Sequence, residues 1–308
     1  MDHNKIKGLI AAPYTPFTPD CKLNLSAVSP YAERLKNNNI SGVFVGGTTG
    51  EGMLLTVDER KLLTEAWALH RSPNFKFMVH VGATSYKDAI TLTGHAAAHG
   101  ADAIGAMGPL FLKPAGIPDL VAYCKTVAAA APDLPFYYYH IPDISGVDLS
   151  MPDFLEQAEA EIPNLKGIKF THANLMNMFV CMRGKHRKWD ILHGQDETLL
   201  AGLSLGAEGA VGSTYNYASA LYRPILEAFA GNDLEEARKW QELSARFIRI
   251  LIRYGGGVIG GKPLMKITGI DCGPLRTPAR NLTEKELIAF ERTLKKEGIL
   301  KYFDGFGS

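Results

Sequence analysis

The sequence predicts an α/β protein of the (β/α)8 TIM-barrel class with a C-terminal three-helix extension. Three observations carry the prediction. Eight short apolar runs alternate with longer segments of helical spacing, the pattern of parallel strands joined by right-handed helical crossovers. No G-x-G-x-x-G opens the first unit, which weakens a doubly wound sheet. Helical stretches follow the eighth unit with no Ser/Gly-rich linker, so residues 1–230 read as barrel and 231–308 as a helical layer packed on it.

The runs, in order, are KGLIAAPY (7–14), SGVFVGGTT (41–49), FKFMVHVGA (75–83), ADAIGAMGP (101–109), LPFYYYHIP (134–142), LKGIKFTH (165–172), WDILHG (189–194) and GAVGST (209–214). Between them, TVDERKLLTEAWALH (56–70) opens with Thr56 and carries Glu59 three residues on, a capping-box signature. SYKDAITLTGHAAAHG ends on Gly100, a helix C-cap residue. Beyond the eighth unit, helices are expected over roughly 233–254, 258–268 and 283–297, and the tail DGFGS is expected to fray.

With 308 residues, 46% of them hydrophobic, the chain can bury a large core. Its formal net charge of +1 comes with no basic patch for nucleic acid and no acidic tail. The start MDHNKIKG is polar, unlike a signal peptide, and no apolar run has the length of a membrane span. Cys21, Cys124, Cys181 and Cys272 are scattered and form no CxxC, so the expectation is a reduced cytoplasmic protein.

In such barrels chemistry sits at the C-terminal ends of the strands. Side chains alternate along a strand. In NLKGIKFTHANL (164–175), Ile168 and Phe170 fall on one face and Gly167, Lys169 and Thr171 on the other. The apolar face suits the helices, which turns Lys169 inward. Desolvation there disfavours an ammonium and exposes a nucleophilic amine able to form a Schiff base with a ketone. A lysine that snorkels or pairs with an acid is the open alternative. The same alternation turns Tyr139 inward, as a proton carrier or as a tyrosine tied to a carbonyl. GGTTGEG (46–52) brings Thr48, Thr49 and turn amides to the second strand end, suited to a carboxylate or phosphate, or serving as a plain turn. Asp196, Glu197 and Ser213 from HGQDE and GST, together with Thr171, make a polyol-friendly set, or cap helices.

Two rival classes are weighed against this. His80, His140, His172 and His193 lie near strand ends and raise a metal-dependent hydrolase, but no H-x-H or H-E-x-x-H occurs. If Lys169 and Tyr139 face inward, His172 and His140 face outward. GGVIGGKP (256–263) fits G-x-x-x-x-G-K, but Pro263 stands where a P-loop needs Ser or Thr, and a helical stretch precedes it. A sugar-binding module without activity would not need an inward Lys169.

GGTTGEG, YYYHIP with its following SG, GIKFT and GAVGSTYNY occur in this order at the strand ends. With them the chain resembles the N-acetylneuraminate lyase and dihydrodipicolinate synthase superfamily over about residues 6–298, and FYYYHIP, LKGIKF, GAVGSTYNY and LFLKP resemble its N-acetylneuraminate lyase branch. The resemblance implies a class I aldolase, usually a homotetramer, with no metal and no cofactor beyond the Schiff base on Lys169. It implies reversible cleavage of sialic acid to pyruvate and N-acetylmannosamine. A synthase acting on another aldehyde, or on a 2-keto-3-deoxy sugar acid, is the alternative within the superfamily. By motif, Lys169 forms the Schiff base and Tyr139 is the acid/base. Thr48 and Thr49 hold the carboxylate, while Thr171, Gly194, Asp196, Glu197 and Ser213 meet the sugar hydroxyls. The chain departs from the pattern at Phe111, where many relatives place a tyrosine that reaches a neighbouring subunit's site. It carries Ile144 where synthases carry a carboxylate-binding arginine.

Overall fold

The computed structural model describes residues 5–184 and 188–305. Each of the eight apolar runs contains a strand: β1 (Gly8–Ala11), β2 (Gly42–Val45), β3 (Lys76–His80), β4 (Ala103–Met107), β5 (Phe136–His140), β6 (Leu165–Phe170), β7 (Asp190–His193) and β8 (Gly209–Gly212). Each pairs in parallel with the next, and β8 pairs with β1, so the sheet closes into a barrel. The crossovers are α1 (Val28–Asn37), α2 (Val57–Ala68), α3 (Tyr86–Ala98), α4 (Ile117–Ala128), the single turn α5 (Pro142–Ser145) with α6 (Met151–Glu161), α7 (Leu175–Arg183) and α8 (Leu199–Leu205). No helix among the described residues is long and apolar enough to cross a membrane.

Period-two alternation sorts the strand residues into two cores. Val43, Val45, Phe77, Val79, Ile104, Tyr138, Ile168 and Ile191 pack under the helices. Ile10, Phe44, Met78, Met107, Tyr137, Leu192 and Val211 fill the barrel. Asp190 accepts hydrogen bonds from Tyr137 Oη at 2.7 Å and from Ile6 N at 2.9 Å, which ties β5 and β7 to the chain entering β1. The barrel is therefore plugged, and open space is left to the C-terminal strand ends. The expected capping box is present: Glu59 N donates to Thr56 Oγ1 at 3.2 Å and Thr56 N to Glu59 Oε2 at 2.9 Å. Gly100 follows α3 at φ +71°.

After α9 (Ser219–Ala230), the long α10 (Leu234–Arg253) runs back across the barrel, and α13 (Glu284–Lys296) packs near the chain end. The middle stretch of the extension differs from expectation. In place of one helix over 258–268 there are two single turns, α11 (Gly256–Ile259) and α12 (Gly261–Leu264), and a 3-10 piece, Met265–Thr268. Gly255 and Gly256 take positive φ at its start, and Pro263 removes an amide from its middle. The tail also departs from expectation. Asp304 is buried and accepts from Ser219 Oγ at 2.9 Å and from Ser219 N at 3.3 Å; residues 306–308 lie outside the described residues.

Candidate active site

β5 and β6 are neighbours, and their register sets Tyr139 beside Lys169. Both belong to the inward set, so both side chains rise into the mouth above the barrel plug. Lys169 is only 4% exposed. Its Nζ lies 3.6 Å from the centroid of the Tyr139 ring and 5.5 Å from that of Phe44, and it donates to Thr171 Oγ1 at 3.2 Å. Ring faces attract a cation, but weakly compared with a carboxylate. The amine is thus held by its walls, and makes no ion pair among the described residues. Tyr139 Oη is 3.3 Å from Thr48 Oγ1, which links the end of β5 to the glycine-rich turn after β2.

These groups open onto a cavity of about 260 Å³. All nine residues singled out from the sequence line it: Thr48, Thr49, Tyr139, Lys169, Thr171, Gly194, Asp196, Glu197 and Ser213. Two glycines make the polar wall possible. A Cβ at Gly194 would come within 1.9 Å of Thr171 Oγ1, and one at Gly212 within 1.9 Å of Asp196 Oδ1. Asp196 is buried and accepts from Thr214 N at 3.0 Å and from the Thr214 hydroxyl, both on Oδ2. Burial outweighs those two bonds and pushes its carboxyl up to about 6. Oδ1 faces Gly212. In the turn after β2, Gly46 adopts φ +70°, and a Cβ at Gly52 would meet Gly46 O at 1.8 Å. No acceptor among the described residues takes the amide hydrogens of Thr48 and Thr49, so this turn can offer them to an anion.

Several residues that shape the site were missed in the sequence. The glycine-rich GGVIGGKP follows the helix α10 rather than a strand, and its Gly256 and Gly257 roof the cavity with Ile248, Leu251 and Ile252 of α10. Tyr14 Oη donates to Gly257 O and holds that roof to the end of β1. Lys262 is fully buried and pairs with Glu51 at 2.6 Å, which fastens the roof to the threonine turn. Glu51 itself sits at φ +54° and also accepts from Arg276 N at 2.9 Å. Gln241 of α10 donates to the carbonyl of Glu197 at 2.9 Å and supports the loop that carries Asp196. His80 is inward, its ring edge-on to Tyr139 at 6.0 Å. Its Nδ1 faces Gly46 O at 3.1 Å and its Nε2 faces Met107 N at 3.3 Å, while burial, then Arg60, hold it well below the usual imidazole range. It is a neutral spacer under the site. The one sequence signal for these parts is the presence of glycine and charge where a plain helical connection needs neither.

The histidines weighed as metal ligands do not converge on the cavity. His140 packs outward against Phe170 at 4.9 Å and His172 at 5.4 Å, and His193 meets Thr198 Oγ1 at 3.0 Å behind β7. The groups among the described residues that could hold a metal, Glu65–His95–His99 and His140–Asp148–His172, lie elsewhere. Phe111 is 78% exposed on the segment after β4 and is not among the residues lining the cavity.

Residues 5–297 match the dihydrodipicolinate synthetase family. The N-acetylneuraminate lyase of Xenopus tropicalis is 44% identical over 277 residues, covering 89% of this chain and 90% of the relative. That of Homo sapiens is 38% identical over 304 residues, covering 97% and 95%. The solved Proteus mirabilis N-acetylneuraminate lyase superposes with a TM-score of 0.92 at 40% identity, over 96% of this chain and all of that one. A Ruminococcus gnavus sialic acid aldolase, solved as a catalytic lysine mutant, gives 0.88 at 25% identity over 96% of each chain. The chain therefore belongs to the dihydrodipicolinate synthetase family, on its N-acetylneuraminate lyase branch.

Proposed function

We propose that the protein is a class I aldolase that reversibly cleaves N-acetylneuraminate to pyruvate and N-acetylmannosamine, with Lys169 as the nucleophile. One observation carries this reading: a buried amine with no carboxylate partner among the described residues, 3.6 Å above a phenol ring, faces a wall of hydroxyls and carboxylates. The amine of Lys169 adds to C2 of the open-chain keto acid and water leaves, giving an iminium. Tyr139 relays the proton of the C4 hydroxyl, accepting it on Oη while passing its own proton on towards Thr48 Oγ1, as C3–C4 breaks, and the iminium accepts the electron pair as an enamine. Protonation of the enamine and hydrolysis then release pyruvate and restore the amine. Thr48 and Thr49 hold the carboxylate with hydroxyls and turn amides. Thr171, Asp196, Glu197 and Ser213 receive the sugar hydroxyls, with Gly194 leaving them room. No metal and no further cofactor takes part.

Ile144 supports the lyase over a synthase. It stands on α5 where an arginine would grip an aldehyde carboxylate, and an apolar chain offers no such fork. The exposed Phe111 and Leu112 after β4 support a homotetramer that covers them. Four unpaired thiols fit a reducing, cytoplasmic setting.

The test is borohydride reduction in the presence of pyruvate followed by peptide mass spectrometry. The adduct is expected on Lys169, and Lys169→Ala is expected to stay folded without turnover. An adduct on another lysine overturns the assignment. Comparing kcat/KM for pyruvate condensation with N-acetylmannosamine and with aspartate semialdehyde decides the substrate. Unpaired buried polar groups should disfavour the wrong aldehyde by roughly 10⁴-fold.

A further inference from the structure

We propose that His140, His172 and Asp148 form a site for a divalent transition-metal ion of the zinc type, on the outer side of the barrel wall behind β5 and β6. The three side chains come from three chain segments: the end of β5, the residues just past β6, and the loop between α5 and α6. One ligand atom from each lies within 4.8 Å of the other two. The placement follows from strand register. His140 pairs opposite Phe170, and His172 is two residues further on, so all three share the outward face. The two imidazole rings stand 5.4 Å apart at 75°.

These ligands are unspent. His140 is 2% exposed, and its Nδ1 has no hydrogen-bond partner, although buried polar atoms are normally satisfied. Neither His172 nor Asp148 makes a hydrogen bond or ion pair among the described residues. The other histidine group contrasts with this. His95 Nε2 already faces Glu65 at 3.2 Å and Lys61 O at 3.3 Å, and His99 Nδ1 faces His95 O at 2.9 Å.

Two imidazoles and one carboxylate suit zinc, with water as the fourth ligand, and do not suit calcium or magnesium. Bonds of about 2.0–2.1 Å put tetrahedral ligand atoms roughly 3.3 Å apart. Closing from 4.8 Å therefore needs small rotations, which the exposed Asp148 and the half-buried His172 can make. The strand backbone separates this position from the cavity, so the ion acts as a clamp. It fastens the loop carrying Asp148 to strand ends whose neighbouring residues are Tyr139 and Thr171.

The test uses the full chain, stripped with chelator and titrated with Zn²⁺ by calorimetry and with Co²⁺ by visible absorption. One equivalent per chain is expected at this site, with a Co²⁺ band of low-coordinate type. His172→Ala and Asp148→Asn, both outside the core, are each expected to weaken Zn²⁺ binding roughly tenfold or more, the scale on which even outer-shell partners act, and to abolish the band. His99→Ala is expected to change neither. Binding that survives in His172→Ala, or that is lost in His99→Ala, overturns the proposal. So does a parent chain that takes up no Zn²⁺.

Discussion

Asp196→Asn is expected to stabilise the protein above neutral pH while impairing it as a catalyst. The Asp196 carboxyl is lifted to about 6 by burial, against about 3.9 in an unfolded chain. The folded state therefore binds this proton more tightly than the unfolded state does. Stability from this group is full below about pH 4 and falls as pH rises; by pH 8 the folded state bears a penalty of about 2 units, or about 3 kcal/mol. Asparagine is neutral throughout and nearly isosteric. Its Oδ1 can accept both Thr214 donors, and its amide fits against Gly212. We expect Asp196→Asn to be more stable than the parent by about 1–3 kcal/mol at pH 8, with roughly half of that gain gone at pH 5. Urea unfolding followed by circular dichroism at the two pH values measures it. A difference of equal size at both, or a loss of stability at pH 8, would refute the argument. The same variant replaces an acceptor with a donor on the sugar-facing wall, so kcat/KM for N-acetylneuraminate should fall while the variant becomes more stable, a familiar opposition at functional sites.

Tyr139→Phe should lower kcat by roughly two to four orders of magnitude, while borohydride still traps pyruvate on Lys169; parental turnover would assign the proton to another group. Gly194→Ala places a methyl 1.9 Å from Thr171 Oγ1 and 2.8 Å from the Phe170 carbonyl oxygen, so the hydroxyl and the strand end must both shift, and steady-state kinetics should show a raised KM for the sugar alongside a lower urea midpoint. Lys262→Ala leaves Glu51 buried without its cation and should cost roughly 3–5 kcal/mol in urea unfolding; because Glu51 belongs to the threonine turn, the KM for pyruvate should rise with it.

How far the sequence could be read depends on the range over which each residue acts. Alternation along a strand is local, and in a barrel whose outer face must be apolar it decides which way Lys169 and Tyr139 point. Their adjacency then follows from β5 and β6 being neighbours in a closed barrel. The Thr56–Glu59 capping box is equally local, and both partners lie within one turn. The roof of the site is not local. Lys262 reads in isolation as a failed phosphate-loop lysine, and no pattern along the chain reveals that its partner is Glu51, 211 residues away. Nor can helical spacing say that Gln241 will reach across to the loop carrying Asp196. The appended helices thus do more than cover apolar surface. A desolvated pair such as Glu51–Lys262 contributes little net stability, but its geometry is unforgiving. If the roof moved away from the threonine turn, two charges would be left buried and unpaired. The pair therefore acts as a register pin between the barrel and its extension, and it keeps Thr48 within reach of Tyr139 while Gly257 closes the opposite side of the cavity.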